Sequence, residues 1–305
     1  MPNITLRQLR YFDALARLGH FGRAAEACSV SQPALSVQIK ELEETLGSTL
    51  FERMPRQVRL TTLGREFLPR SREILRSVDE LGDLARAAKK HLVGQLRIGV
   101  IPTIAPYLLP TIVDQLTRQF VGVDIHIRET MTSTLVKELG EGRIDTAIVA
   151  LPISEPSLTE VALFDENFVL VRPEADKDKP VPDREMLQEM RLLLLEEGHC
   201  FRDQALAFCN IQSNLPRETL DGTSLSTLVQ MVGAGIGVTL VPEMAIPVET
   251  RSAAVSVARF NEPQPARTIG MIWRKTSPLE HQYFRITELV RQSSVSQRGS
   301  PETDI

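Results

Sequence analysis

The sequence predicts an α/β protein in three parts: a helical head closed by a two-stranded ribbon, a long amphipathic helix, and a two-lobed domain of alternating strands and helices. Three observations carry this. Apolar residues recur at three-to-four spacing as far as Leu46 and then switch briefly to alternation. A heptad pattern follows from Phe67. Beyond Gly94, short runs rich in Val, Ile and Leu alternate with amphipathic stretches, as in βαβ units and a mainly parallel sheet.

The head begins with Leu6, Leu9, Phe12, Leu15 and Ala16 on one face of a helix that Gly19 and His20 stop. A shorter pattern, Ala24, Ala25 and Cys28, forms a second helix. Ser31 is a suitable N-cap for a third, with Pro33 in the first turn, a stripe of Leu35, Ile39, Leu42 and Leu46, and Gly47 as its stop. The ribbon is read from 50–52, a turn at Pro55-Arg56, and 58–60. Three helices and a ribbon spell a winged helix-turn-helix. If the stripe faces the core, Pro33, Val37 and Lys40 face outward, with Gln32 and Ser36 at the edge. Gln and Ser can read base edges in a major groove, and Arg53, Arg56 and Arg59 in the wing suit phosphate or minor-groove contact.

Phe67, Ser71, Ile74, Val78, Leu81, Ala85 and Ala88 then alternate by four and three, a seam suited to a second copy of the helix, with Pro69 expected to kink or restart it. Strands are predicted at 96–100, 123–128, 146–151, 168–171, 191–195, 238–241 and 268–273, and helices at 107–120, 134–141, 225–232 and 281–290. This gives a head at 1–60, a linker helix at 61–91 and a two-lobed domain at 92–305. In the last, lobe I takes 92–164 and 268–292, lobe II takes 165–267, and a polar tail at 293–305 has little to bury. The run GAGIG at 233–237 ends a helix and precedes a strand, the wrong order for a dinucleotide loop, and is read as a tight turn.

Composition narrows the function. With 42% apolar and 24% charged residues and no run approaching the ~18 apolar residues of a membrane span, a soluble globular protein is expected. The start MPNITLRQLR has no secretory pattern, so the cytoplasm is the expected compartment. Three cysteines cannot build a disulfide scaffold, and a disulfide among them would be transient. The net charge of −4 conceals a contrast: residues 1–90 carry 15 basic against 11 acidic side chains, the remainder 20 against 28. That suits a polyanionic partner for the front part, and equally an ordinary solvated surface.

The segment 197–209, EGHCFRDQALAFC, has the pattern of a short helix starting near Cys200. A thiol at a helix N-terminus beside His199 and Arg202 is expected to favour its thiolate and to react with peroxide. Cys209 follows nine residues later. In an intact helix the two would lie ~13 Å apart along the axis on opposite faces, beyond the ~7 Å Cα separation a disulfide tolerates. The same spacing also suits two buried cysteines acting as small apolar residues. His199, Cys200 and Cys209 lack zinc-ligand spacing, and no motif calls for a metal or cofactor.

The run LRQLRYFDALARLGHFGRAAEACSVSQPALSVQIKELEETLGSTLFER, with VSQPALS, LFER and the TTLG that follows, resembles the DNA-binding domain of LysR-type transcription regulators. The resemblance implies groove contact for Gln32, Pro33 and Ser36 and a wing contact for Arg53. It implies operator DNA and RNA polymerase as partners, a homodimer through the linker helix, assembly to a homotetramer, and action as activator or repressor. Cys28 falls where that family has an apolar core residue. GHCFRDQALAFC resembles the redox segment of peroxide-sensing members, and IPTIAPYLLP and RTIGMIW resemble the segments flanking their peroxide pocket.

On that footing Cys200 is implied as peroxidatic and Cys209 as resolving, joined by a reversible disulfide that rearranges the domain and the oligomer. Thr103, Thr132, His199 and Cys200 are implied to bind hydrogen peroxide, and His199 and Arg202 to stabilise the thiolate, in a stoichiometric sensing reaction without enzymatic turnover. The regulatory domain is expected to resemble periplasmic solute-binding proteins. Thr103 also reads as a helix cap ahead of Pro106. Two rival readings stand beside this one. A regulator sensing a metabolite between the lobes would not need both cysteines, and a thiol peroxidase would not need the head and linker.

Overall fold

The computed structural model describes residues 3–54, 57–87, 94–209 and 221–298. It divides into two compact units, Met1–Ala85 and Arg86–Ile305.

In the first unit, α1 (Leu6–Leu18) opens with a capping box in which Thr5 and Gln8 satisfy each other's backbone N–H, and ends at Gly19 in the left-handed conformation. His20 caps α2 (Phe21–Ala27), its Nδ1 accepting from the Gly22 and Arg23 amides. Ser31 caps α3 (Gln32–Leu46), which Gly47 terminates. Phe12, Leu15, Leu35, Ile39, Leu42 and Leu50 are fully buried between the helices, each such side chain stabilising by about 1.5–3 kcal/mol. β1 (Phe51–Met54) and β2 (Gln57–Leu60) pair antiparallel as the wing. The expected turn at Pro55-Arg56 lies outside the described residues.

α4 (Thr62–Ala87) runs through Pro69 as one helix, so of the expected kink or restart the restart does not occur. Pro69 lacks the N–H that would reach the Arg65 carbonyl and its ring crowds that carbonyl, but this local disturbance does not divide so long a helix. Two of the heptad residues pack inward. Phe67 packs edge-on against Phe12 at 5.2 Å and Ser71 is buried, so both serve the head's core. The exposed large apolar side chains of α4 are Leu63, Ile74, Leu81 and Leu84; Ala88 lies outside the described residues.

The second unit is built from β3 (Gly94–Val100), α5 (Ala105–Gln119), β4 (Val123–Glu129), α6 (Thr132–Gly140), β5 (Thr146–Leu151), β6 (Leu158–Pro173), α7 (Arg184–Glu189), β7 (Leu192–Leu195), α8 (Cys200–Phe208), β8 (Asp221–Gly222), α9 (Leu225–Gly233), β9 (Val238–Pro242), α10 (Ile246–Glu249), β10 (Val255–Arg259), β11 (Ala266–Arg274) and α11 (Glu280–Arg298). The strands line up as β4-β3-β5-β11-β6-β9-β7-β8, with β10 also on β6. The sheet is mixed rather than mainly parallel. β3 pairs parallel with β4 and β5, and β7 with β8 and β9, but β11 and β6 run antiparallel to their neighbours.

The expected strand at 168–171 is only the end of β6. Its first part pairs with β11 and its last with β9 and β10, so one strand serves two cores. The first core gathers β3, β5, β11, α5 and α11 around Trp273 and Tyr283. The second gathers the end of β6 with β7, β9, α8 and α9, and takes in Tyr107 of α5. α11 extends to Arg298, past the point where a tail with little to bury was expected. The GAGIG run is a tight turn between α9 and β9: Gly235 has φ +77°, and a Cβ on Gly237 would lie 2.3 Å from the Arg191 carbonyl oxygen.

Candidate functional site

Three helices of the second unit begin at one place. Thr103 stands immediately before Ile104, the N-cap of α5; Thr132 is the first residue of α6; Cys200 is the first residue of α8. Together with Ile101, Pro102, Met131, Gly198, His199 and Phe201 they line a small pocket. Gly198 enters it with φ +99°, a backbone conformation open to glycine at little cost. Each helix start directs amide N–H groups and the positive end of its dipole inward, so the pocket favours an anion.

Thr103 is almost fully buried but does not cap α5, whose N-cap forms no side-chain hydrogen bond. Its Oγ1 instead accepts from Arg267 Nη1 at 2.8 Å, and Arg267 Nη2 donates to the Thr103 carbonyl at 3.1 Å. With that lone pair engaged, the hydroxyl proton is oriented away from Arg267. The Arg267 side chain is 0% exposed; its guanidinium pairs with Glu166 Oε2 at 2.7–2.8 Å and lies 5.4 Å from the Phe201 ring centroid. Glu166 Oε1 accepts from the Met244 amide. The pair is thereby satisfied on both sides, the condition for a tolerable buried charge pair.

Two atoms at the pocket lack such partners. Thr132 Oγ1 and His199 Nε2 are buried without a hydrogen bond, and a buried polar group left open costs about 1–3 kcal/mol. Burial lowers the His199 pKa, against the opposing charge of Glu196, so the imidazole is neutral at neutral pH. An uncharged His199 offers the pocket a hydrogen-bonding nitrogen. Arg202 donates from Nη1 to the Leu195 carbonyl at 2.7 Å, which binds α8 to the end of β7.

The two cysteines of α8 have different surroundings. Cys200 is half-buried against the first core, whereas Cys209, the C-cap of α8, is fully buried in the second. None of the three cysteines is in a disulfide. Cys28 caps the end of α2 at the margin of the head's core, and burial raises its pKa. This is the core-margin position at which the resemblance expects an apolar residue.

On the head, Gln32, Pro33, Val37 and Lys40 are exposed and Ser36 is half-buried, beside the buried Leu35 and Ile39. Arg59 is exposed and donates to Gln57 Oε1. The Arg53 and Arg56 side chains lie outside the described residues. Arg267 and Glu166 were not singled out from the sequence, although RTIGMIW contains the first. Gln204 was missed as well: it stands four residues from Cys200 on the same helical face, and its Oε1 is buried without a partner.

Residues 6–65 match the model for bacterial regulatory helix-turn-helix proteins of the lysR family, and residues 89–294 match the LysR substrate binding domain. The DNA-binding transcriptional dual regulator OxyR of Escherichia coli (strain K12) is 40% identical over 294 residues, 94% of this chain and 95% of that protein. A full-length OxyR variant from Pseudomonas aeruginosa superposes with a TM-score of 0.77 at 37% identity, covering 99% of each chain. A hydrogen-peroxide-bound OxyR mutant from Corynebacterium glutamicum gives 0.66 at 32% identity, covering 100% of this chain and 98% of its own.

Proposed function

The chain belongs to the LysR family of bacterial DNA-binding regulators, and from that premise we propose that it is a hydrogen-peroxide-responsive transcription regulator whose sensor is Cys200. The observation that carries this is the pocket itself: Thr103, Thr132, His199 and Cys200 converge, and two of their polar atoms are buried and unsatisfied. A small molecule with two donors and several lone pairs, such as hydrogen peroxide, would satisfy both. The Thr103 hydroxyl, turned away from Arg267, is placed to donate.

The chemistry follows. The Cys200 thiolate attacks one peroxide oxygen, an S–O bond forms, the O–O bond breaks, and hydroxide leaves with the electron pair. Hydroxyl donors and three helix starts stabilise that departing charge. The product is a sulfenic acid. The Cys209 thiol then attacks the Cys200 sulfur, its proton leaves with the hydroxyl as water, and a disulfide remains. The cysteines sit at opposite ends of α8, ~13 Å apart along a helix axis, so bonding requires α8 to unwind. Oxidation and rearrangement become one event, reversed by a cellular thiol reductant.

The exposed face of α3, with Gln32, Pro33 and Ser36, reads operator DNA in the major groove, and Arg53 of the wing holds the backbone. The exposed stripe of α4 is covered by a second copy of the chain, a homotetramer assembles from two such dimers, and the assembly engages RNA polymerase in the cytoplasm. The sensing is stoichiometric. Footprints of purified protein on its operator test the reading: brief peroxide treatment is expected to alter the protected region, and dithiothreitol to restore it. A footprint identical before and after complete Cys200 oxidation would overturn it.

A further inference from the structure

We infer that α7 is a latch on the C-terminal end of α8, and that Gln188 and Arg184 set the rate at which Cys209 is released to form the disulfide. The inference rests on the reading of Cys209 as the resolving thiol. α7 is short, but it is fixed at two points. Asp183 caps it by accepting from the Met186 amide at 2.8 Å, and Leu187 is fully buried in the second core. From this base two side chains reach the far end of α8. Gln188 Nε2 donates to the Cys209 carbonyl at 2.9 Å. The Arg184 guanidinium lies 4.8 Å from the Phe208 ring centroid, and Phe208 meets Phe260 edge-on at 5.1 Å.

These contacts fall where the helix is weakest. The last carbonyls of a helix have no intrahelical donor, and Gln188 supplies one to the residue that has to leave. The Arg184–Phe208–Phe260 stack holds the neighbouring residue to the same core. For Cys209 to reach Cys200 the last turn of α8 must come away, and both contacts must break before the sulfurs meet. Neither Gln188 nor Arg184 lines the peroxide pocket. The latch therefore acts on the second step alone, in which the Cys209 sulfur bonds to the Cys200 sulfur, the S–O bond breaks, and the oxygen leaves as water; the oxidising equivalent was delivered by peroxide in the first step.

Gln188→Ala and Gln188→Glu separate the hydrogen bond from the packing. The first removes the side chain; the second keeps its size but replaces the donor with a carboxylate facing the carbonyl. Rapid-quench alkylation and mass spectrometry of the full-length protein under excess peroxide give both rate constants, for loss of the Cys200 thiol and for conversion of sulfenic acid to disulfide. We expect both variants to speed the second step about two- to ten-fold, with the first step unchanged and less sulfenic acid accumulating. Arg184→Ala is expected to speed it by a smaller factor.

A general loss of packing would instead change both rate constants together. That result, or a second step no faster than in the parent for both Gln188 variants, would overturn the latch while leaving the sensing reading intact. If the parent forms no Cys200–Cys209 disulfide, the reading of Cys209 fails, and the latch with it.

Discussion

The two ends of α8 solve opposite problems. At the Cys200 end three helix starts meet around a half-buried thiol, and two buried polar atoms are left without partners. At the Cys209 end the thiol is enclosed in apolar packing and its carbonyl is held by Gln188. One end leaves polar atoms open; the other is packed and hydrogen-bonded. Eight residues of ordinary helix keep them apart, so the fold stores the distance between sulfurs as regular secondary structure.

The largest effect should come from breaking the buried support of the reactive end. Arg267→Met leaves Glu166 buried and uncompensated and should lower stability by about 3–5 kcal/mol, read by denaturant unfolding of the regulatory domain, and it should slow Cys200 oxidation. The double variant Arg267→Met with Glu166→Leu should recover most of the stability, since a matched apolar pair often substitutes for a buried ion pair, but not the oxidation rate, because Thr103 has lost its donor. Recovery of both would show that Arg267 is purely structural.

Thr132→Val probes the open hydroxyl at almost constant volume. Removing a positioned donor should slow peroxide reduction about 10²-fold, while unfolding free energy stays level or rises because an unsatisfied group has gone. Stopped-flow oxidation beside thermal melts would show the two moving apart; a rate equal to the parent's would remove Thr132 from the pocket's chemistry.

Much of this architecture was legible in the sequence, and the gaps have physical causes. The head was readable because its helices are short, capped by Ser31 and stopped by Gly19 and Gly47, so local rules decide them. β6 was misjudged because its two apolar runs, 161–164 and 168–171, are separated by Asp165, Glu166 and Asn167; only the second is continuously buried, and the part paired with β11 is fixed by long-range pairing. Phe67 and Ser71 fit the heptad spacing yet serve the head's core, since periodicity gives a helix face and not its partner. At the site, Cys200 with His199 beside it was readable from the local pattern, whereas resemblance supplied Thr103 and Thr132. Arg267 and Glu166 stand 101 residues apart in sequence, and no local pattern announces that they meet.

A smaller effect concerns pH. His199 has a folded-state pKa below its ordinary value of 6.5, through burial. The unfolded chain therefore binds more protons as pH falls past 6.5, so this contribution to stability is fully present above that value and is lost as pH drops through the folded pKa. His199→Gln should flatten the acid side of the melting-temperature profile. An unchanged slope would mean that the imidazole is not held neutral in the pocket.

The central claim is that Cys200 reacts first and Cys209 answers it. Peptide mapping of Cys28→Ser, Cys200→Ser and Cys209→Ser proteins after brief peroxide exposure, beside operator footprints of the same samples, tests it most directly. Cys28→Ser should form the disulfide and switch like the parent. Cys209→Ser should stop at a sulfenic acid on Cys200, with weakened or altered switching, and Cys200→Ser should show neither oxidation nor a changed footprint. A disulfide containing Cys28, or a Cys200→Ser protein whose footprint still responds to peroxide, would contradict the account.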